Sequence, residues 1–205
     1  MTDHTPTILG FDSSSAACKV ALLRGDAVLM HRVEEMAKGQ AERLMTLCSE
    51  LMRDAGIAPS DLTAIGVGTG PGNFTGIRIS VSAARGLALG LGVPALGVTA
   101  FEALQYGQKT ACSCAVDARR DEAYLQAFDA SGQAAEAVIC PAANLPMTTE
   151  TLIGHGGAAP AYPTAIAICR VAGERLGQPQ PRPAPVYIRP ADAAPARDAP
   201  PVILP

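Results

Sequence analysis

The stretch Val67-Gly68-Thr69-Gly70-Pro71-Gly72-Asn73-Phe74-Thr75-Gly76-Ile77-Arg78-Ile79 decides the architecture. The apolar run Ala64–Val67 reads as a strand, and Phe74–Leu91 carries a helical pattern. The glycine loop 68–76 therefore joins a strand to a helix, where main-chain N–H groups and the helix dipole favour an anion. No Lys follows its last glycine, so it is not a Walker loop, and it matches neither GxGxxG nor the GxSxG elbow. A phosphate cradle and a plain tight turn both satisfy these residues.

Upstream, Thr7–Phe11 reads as a strand that ends at Asp12 and feeds a polar loop, Asp12-Ser13-Ser14-Ser15. An acid placed there could hold a water-bound Mg²⁺ near phosphates. Asp and Ser are equally at home in an ordinary turn. Lys19–Leu23 and Ala27–Val33 follow as strands around a Gly25-Asp26 turn. Gln40–Ala55 reads as a helix ended by Gly56. Leu44, Leu47, Leu51 and Ala55 share one face, and Met45, Cys48 and Met52 line an adjacent stripe. That arc is wider than one sheet contact requires. It fits either a deeply buried helix or a helix that also meets a partner, for which flexible Met is suited.

Downstream, helix 74–91 carries Ser80, Ser82, Ala83, Ala84, Gly86, Ala88 and Gly90. Small side chains let another helix come close. Each interior glycine costs about 1 kcal/mol relative to Ala, so tight packing is expected to offset it. Val93–Val98 is the next strand, and Thr99 caps a helix over Ala100–Tyr106. The order β-β-β-α-β-α-β-α implies a mixed sheet with parallel members.

Beyond residue 107 the expected elements are strands at Ala111–Val116 and Ala123–Phe128 around a polar turn, Asp117–Asp121. A third strand is expected over Ala134–Cys140, a short one at Thr151–Gly154, and a helix over Ala161–Leu176 with Pro163 in its first turn. From Gln178 onward nine of 28 residues are proline, which reads as an extended tail rather than a core. The expected division is a lobe over 1–107, a smaller lobe over 108–177 and a tail over 178–205.

The chain has 205 residues, 48% hydrophobic and 17% charged, with a formal net charge of −3. Proteins that grip RNA alone present a basic face, and the longest basic cluster here, Arg119-Arg120, runs straight into Asp121-Glu122. The six cysteines form no CxxC pair and read as buried reduced thiols. His4, His31 and His155 have no metal-ligand spacing, and nothing points to a Ser–His–Asp triad. Residues 1–7 are polar, so no signal peptide is expected, and no apolar run is long enough for a membrane span. A cytoplasmic location is expected.

Several stretches then add up: Ile8-Leu9-Gly10-Phe11-Asp12-Ser13-Ser14, the run from Val67 to Ile79, Gly86–Gly90, Gly97–Leu104, Asp117–Tyr124 and Pro185-Val186-Tyr187-Ile188-Arg189. Together and in this order they resemble the TsaB family, also known as YeaZ. The resemblance implies an α/β, two-lobed actin/Hsp70/sugar-kinase-like fold, with a mixed sheet flanked by helices in the N-lobe and a reduced C-lobe. It implies a non-catalytic subunit that works with TsaD and the ATPase TsaE to place threonylcarbamoyl on N6 of adenosine 37 in tRNAs reading ANN codons. It further implies pairing with TsaD through N-lobe helices, self-association through the same surface, and contact with tRNA only through the complex. No cofactor is required of this chain, and ATP with Mg²⁺ belongs to the complex.

On that basis Leu44, Met45, Cys48, Met52, Ser80, Ala84 and Leu87 are the expected partner-binding residues. Glutamate at Met45 or Ala84 is expected to abolish pairing and leave the monomer folded. Asp12, Ser13, Gly70 and Gly72 are expected as vestigial phosphate-loop residues, with no catalytic or metal-ligating residue. The chain departs from the family at Thr69, Asn73 and Gln40, where Arg, Ser and His are usual. The alternative is a stand-alone ATP-dependent phosphotransferase of the same fold, resting on Asp12 and the 68–76 loop. A peptidase needs a nucleophile–base pair or a metal, and neither stands here in recognisable spacing.

Overall fold

The strand β1 (Thr7–Ser15) is buried along its first seven residues and forms the middle of a five-stranded sheet. On one side it pairs antiparallel with β2 (Ala17–Arg24), which pairs antiparallel with the edge strand β3 (Ala27–Glu35). On the other side it runs parallel to β4 (Ala64–Gly68), and β4 runs parallel to β5 (Ala95–Val98). The helices are α1 (Gln40–Asp54), α2 (Phe74–Leu91), α3 (Ala100–Gln105) and α4 (Thr164–Arg175). A second sheet has the order β8-β7-β6-β9, built from β6 (Cys112–Arg119), β7 (Glu122–Phe128), β8 (Val138–Pro141) and β9 (Leu152–Gly154). This computed structural model describes residues 5–149 and 151–189. The α/β class and the mixed sheet flanked by helices are as expected.

Strand alternation divides the core. Leu9 and Phe11 point to one face, where they meet Leu44, Leu47 and Leu51 of α1 and Ile77 and Val81 of α2. Each such burial stabilises by about 1.5–3 kcal/mol. Ile8 and Ala64 point to the other face, against Ala165, Cys169 and Ala172 of α4. Gly10 and Gly66 are register partners on this face. A Cβ on Gly66 would lie 3.0 Å from Ile168 Cγ2, and one on Gly10 would lie 2.4 Å from Cys169 Sγ. Two adjacent glycines thus make the flat seat on which α4 rests.

Four expectations change. Asp12–Ser15 is not a loop: β1 continues to Ser15 because these residues pair with β2, Asp12 opposite Lys19 and Ser15 opposite Ala17. The β6–β7 turn is only Arg120-Asp121, since both strands run into the expected turn; the pair has φ of 54° and 58°. The third strand is shorter, with Ala134 making only an isolated bridge to Phe128. Pro163 is the residue that caps α4 rather than part of its first turn. Helix α4 packs on the first sheet, its small and apolar face the complement of the Gly10–Gly66 seat.

The tail is extended over 178–189 but not loose: Pro183 is buried, and Ile188 packs against the core of the second sheet. The rest of the expected tail, 190–205, lies outside the described residues. Among the described residues no helix is long and apolar enough to cross a membrane.

Candidate functional site

A cleft of about 650 Å³ opens between the two sheets. One wall is the end of β1 with the start of α2, and the other is the β6–β7 hairpin. Asp12 lies on its floor, 3.8 Å from Lys19 Nζ, and its side chain is 4% exposed. It fits because position 68 is glycine; a Cβ there would fall 2.3 Å from Asp12 Oδ1. Lys19, Arg119, Arg120 and Arg189 face the cleft against two acids, Asp12 and Asp117, so an anion suits it better than a cation.

The strand end and helix start are sewn together. Ser13 Oγ donates to the Gly76 carbonyl at 2.8 Å, Asn73 N–H donates to the Ser14 carbonyl at 2.7 Å, and Asn73 Oδ1 accepts from Gly76 N–H at 3.0 Å. Asn73 is thereby the N-cap of α2. Two of the main-chain donors that an anion at this helix start would use are already engaged within the chain. Of the four expected phosphate-loop residues, Asp12 and Gly72 line the cleft. Ser13 is fully buried beneath α2, and Gly70 sits against Ile77 and the Val186 carbonyl. Among the described residues, no group of three or more His, Cys, Asp or Glu is placed to hold a metal ion.

The second candidate surface is the outer face of α1 and α2. Leu44, Cys48, Met52, Ser80 and Ala84, five of the expected partner-binding residues, are buried in this chain's own core. The wide apolar arc of α1 is filled by the sheet, by α2 and by Ile57 and Leu62. Burial pushes the Cys48 thiol up to about 12, with the nearby Cys18 adding to the effect. Ser80 Oγ donates inward, sharing its proton between Ile77 and Gly68 carbonyls at 3.1 and 3.3 Å. Only Met45, which is exposed, and Leu87, which is half-buried, reach the surface.

The surface of α2 is made instead by Ser82, Arg85, Gly86 and Leu89, with Gly90 beside them. Leu89 is 85% exposed. A Cβ on Gly86 or Gly90 would meet nothing within 4 Å, so the packing expected to offset these glycines is not supplied by the described residues. Residue size alone does not reveal this face, because size does not say which side the sheet covers. Lys19 is likewise missed when β1 is ended at Phe11, before the register brings Lys19 opposite Asp12.

Comparison with known proteins gives a consistent picture. A family model described as "TsaD: tRNA N6-adenosine threonylcarbamoyltransferase" matches residues 33–167. The tRNA threonylcarbamoyladenosine biosynthesis protein TsaB of Escherichia coli (strain K12) is 32% identical over 145 residues, covering 65% of this chain and 62% of that protein. The TsaB of Bacillus subtilis (strain 168) is 34% identical over 136 residues, covering 65% and 59%. The matched stretch thus spans less than two thirds of these relatives. Among solved structures, YeaZ from Pseudomonas aeruginosa superposes with a TM-score of 0.72 at 28% identity, covering 89% of this chain and 99% of that one. A second structure from that organism, described as similar to peptidase YEAZ, has a TM-score of 0.74 at 26% identity, covering 90% and 100%.

Proposed function

The chain belongs to the TsaD family, within which it resembles the TsaB (YeaZ) proteins, and from that premise we propose that it is a non-catalytic partner subunit in threonylcarbamoyladenosine formation on tRNA. In this reading it pairs with TsaD through the outer face of α1 and α2. The pair works with TsaE to transfer threonylcarbamoyl to N6 of adenosine 37 in tRNAs reading ANN codons. Two copies of this chain associate through the same face when TsaD is absent.

The observation that carries the reading is the open face of α2. Gly86 and Gly90 each cost the helix about 1 kcal/mol relative to Ala, and among the described residues no atom occupies the space they leave. A helix of another subunit would fill it at short interaxial distance. Covering Leu89 at the same time would contribute about 1.5–3 kcal/mol. The net charge of −3 supports a subunit that meets tRNA only inside the complex, in the cytoplasm. ATP and Mg²⁺ act at the level of the complex.

A stand-alone ATP-dependent phosphotransferase is the second reading, favoured by the basic excess in the cleft. Against it, Asp12 is held by Lys19 and by Ser14 N–H rather than open to a metal-bound phosphate. Reconstitution separates the two. With TsaD, TsaE, ATP and tRNA, threonylcarbamoyl incorporation is expected to depend on this chain, and the chain alone is expected to turn over no ATP. Full incorporation without it, or ATP turnover by it alone, would contradict the subunit reading.

A further inference from the structure

The segment Pro185-Val186-Tyr187-Ile188-Arg189 is used by neither the docking face nor the floor of the cleft. In the fold it crosses from one cleft wall to the other. Val186 N–H donates to the Thr69 carbonyl at 2.8 Å. Tyr187 stacks on Phe74 with ring centroids 5.1 Å apart, and its hydroxyl accepts from Arg78 Nε at 2.9 Å. The Arg78 guanidinium lies 3.8 Å over the Phe74 ring, so the three side chains form one cluster on the first turns of α2. Ile188 packs into the core of the second sheet. Arg189 donates to the Ala118 carbonyl at 3.3 Å and pairs with Glu122, on the two strands that flank the β6–β7 turn.

We propose that Val186–Arg189 is a strap that couples the exposed start of α2 to the β6–β7 hairpin, so that displacing Tyr187 loosens the far wall of the cleft. The geometry leaves little slack. Tyr187 and Arg189 are two residues apart, a span of at most about 7 Å, and the residue between them is anchored in the second sheet's core. A shift of the Tyr187 seat must therefore be taken up at Arg189 or by breaking its contacts. The seat is also reachable: Phe74 is 49% and Tyr187 45% exposed. A partner that presses on this end of α2 therefore meets Tyr187 together with Phe74.

Hydrogen exchange read by mass spectrometry on the full chain tests this directly. Tyr187→Ala is expected to speed exchange several-fold in 116–124 as well as in 69–78. Tyr187→Phe, which keeps the ring and loses the hydroxyl, should give a smaller rise in both. Phe74→Ala removes the seat from the other side and should reproduce the effect on the hairpin. Exchange that rises in 69–78 and 183–189 but not in 116–124 would overturn the strap. An even rise across α1 and α4 in both variants would overturn it too, since that is loss of the whole fold rather than transmission through one segment.

Discussion

Asp12 and Lys19 face each other across β1 and β2, carboxylate to ammonium at 3.8 Å, on the floor of the cleft. The carboxylate is buried and the ammonium is about one fifth exposed, so the pair is held mostly by the fold. Lys19→Met should leave a buried carboxylate without its cation and destabilise the chain by about 1–3 kcal/mol. The double variant Asp12→Asn/Lys19→Met should recover much of that loss, because neither group is then left unpaired. Urea denaturation measures both; equal losses in the single and double variants would show that the pairing carries no energy.

The contact of Gly10 with Cys169 makes a second prediction. Gly10→Ala drives a methyl to within 2.4 Å of Cys169 Sγ and 3.0 Å of the Ala165 carbonyl, so α4 must shift. Overpacking of this kind costs about 1–3 kcal/mol. Cys169→Ala removes the sulfur and should rescue part of the loss in the Gly10→Ala background, as read from thermal melts. No rescue would mean that the Ala165 main chain, not the sulfur, sets the limit.

A charged network ties α1 to β3 and predicts an acid limb. Hydrogen bonds from Arg43 hold the Glu34 and Glu50 carboxyls below their ordinary 4.5, and one from Arg32 holds Asp54 below 3.8. A depressed carboxyl contributes stability above its ordinary value and loses it as pH falls through its folded value. Arg43→Gln should therefore be less stable than the parent near neutrality, and the gap should close as pH falls below about 4.5. A gap that is the same at about pH 7 and about pH 3 would contradict this assignment.

The thiols should behave as a set. Cys18, Cys48, Cys112, Cys114 and Cys169 are buried, and Cys140 is half-buried. Burial raises every one of these thiols, so little thiolate exists at neutral pH. An aromatic disulfide reagent should modify Cys140 slowly in the native chain and all six thiols after unfolding. Rapid modification of two or more native thiols would show that the core opens far more readily than its packing implies.

The frame of the first sheet was legible because its signals are local. The helical pattern bounds Phe74–Leu91 to the residue; in the fold Asn73 caps its start and Gly92, with φ 68°, ends it. Thr99 with Glu102 forms the capping box that starts α3. What failed depended on distant partners. The polar residues Asp12–Ser15 look like a loop until β2 is laid beside them. Periodicity showed that α1 is apolar over a wide arc, but not that the sheet, α2 and Ile57 would fill it. Ser80 and Ala84 lie on the buried side of α2, where Ser80 Oγ donates to the Gly68 carbonyl of β4, and Gly86 and Leu89 mark the opposite side. The cleft was half legible: Asp12 and Gly72 were named, while Lys19 and Arg189 reach it only through strand register and the tail's path.

If the outer face of α2 is the docking surface, Leu89 at its exposed centre must be needed for pairing. Size exclusion with light scattering on an equal mixture with TsaD from the same organism should show a 1:1 complex. Leu89→Glu should abolish that complex while leaving the thermal melt of the isolated chain unchanged, since Leu89 is 85% exposed. Met45→Glu serves as the parallel test on α1. A complex that survives Leu89→Glu and Met45→Glu undiminished, or no complex with the unaltered chain, would contradict the account.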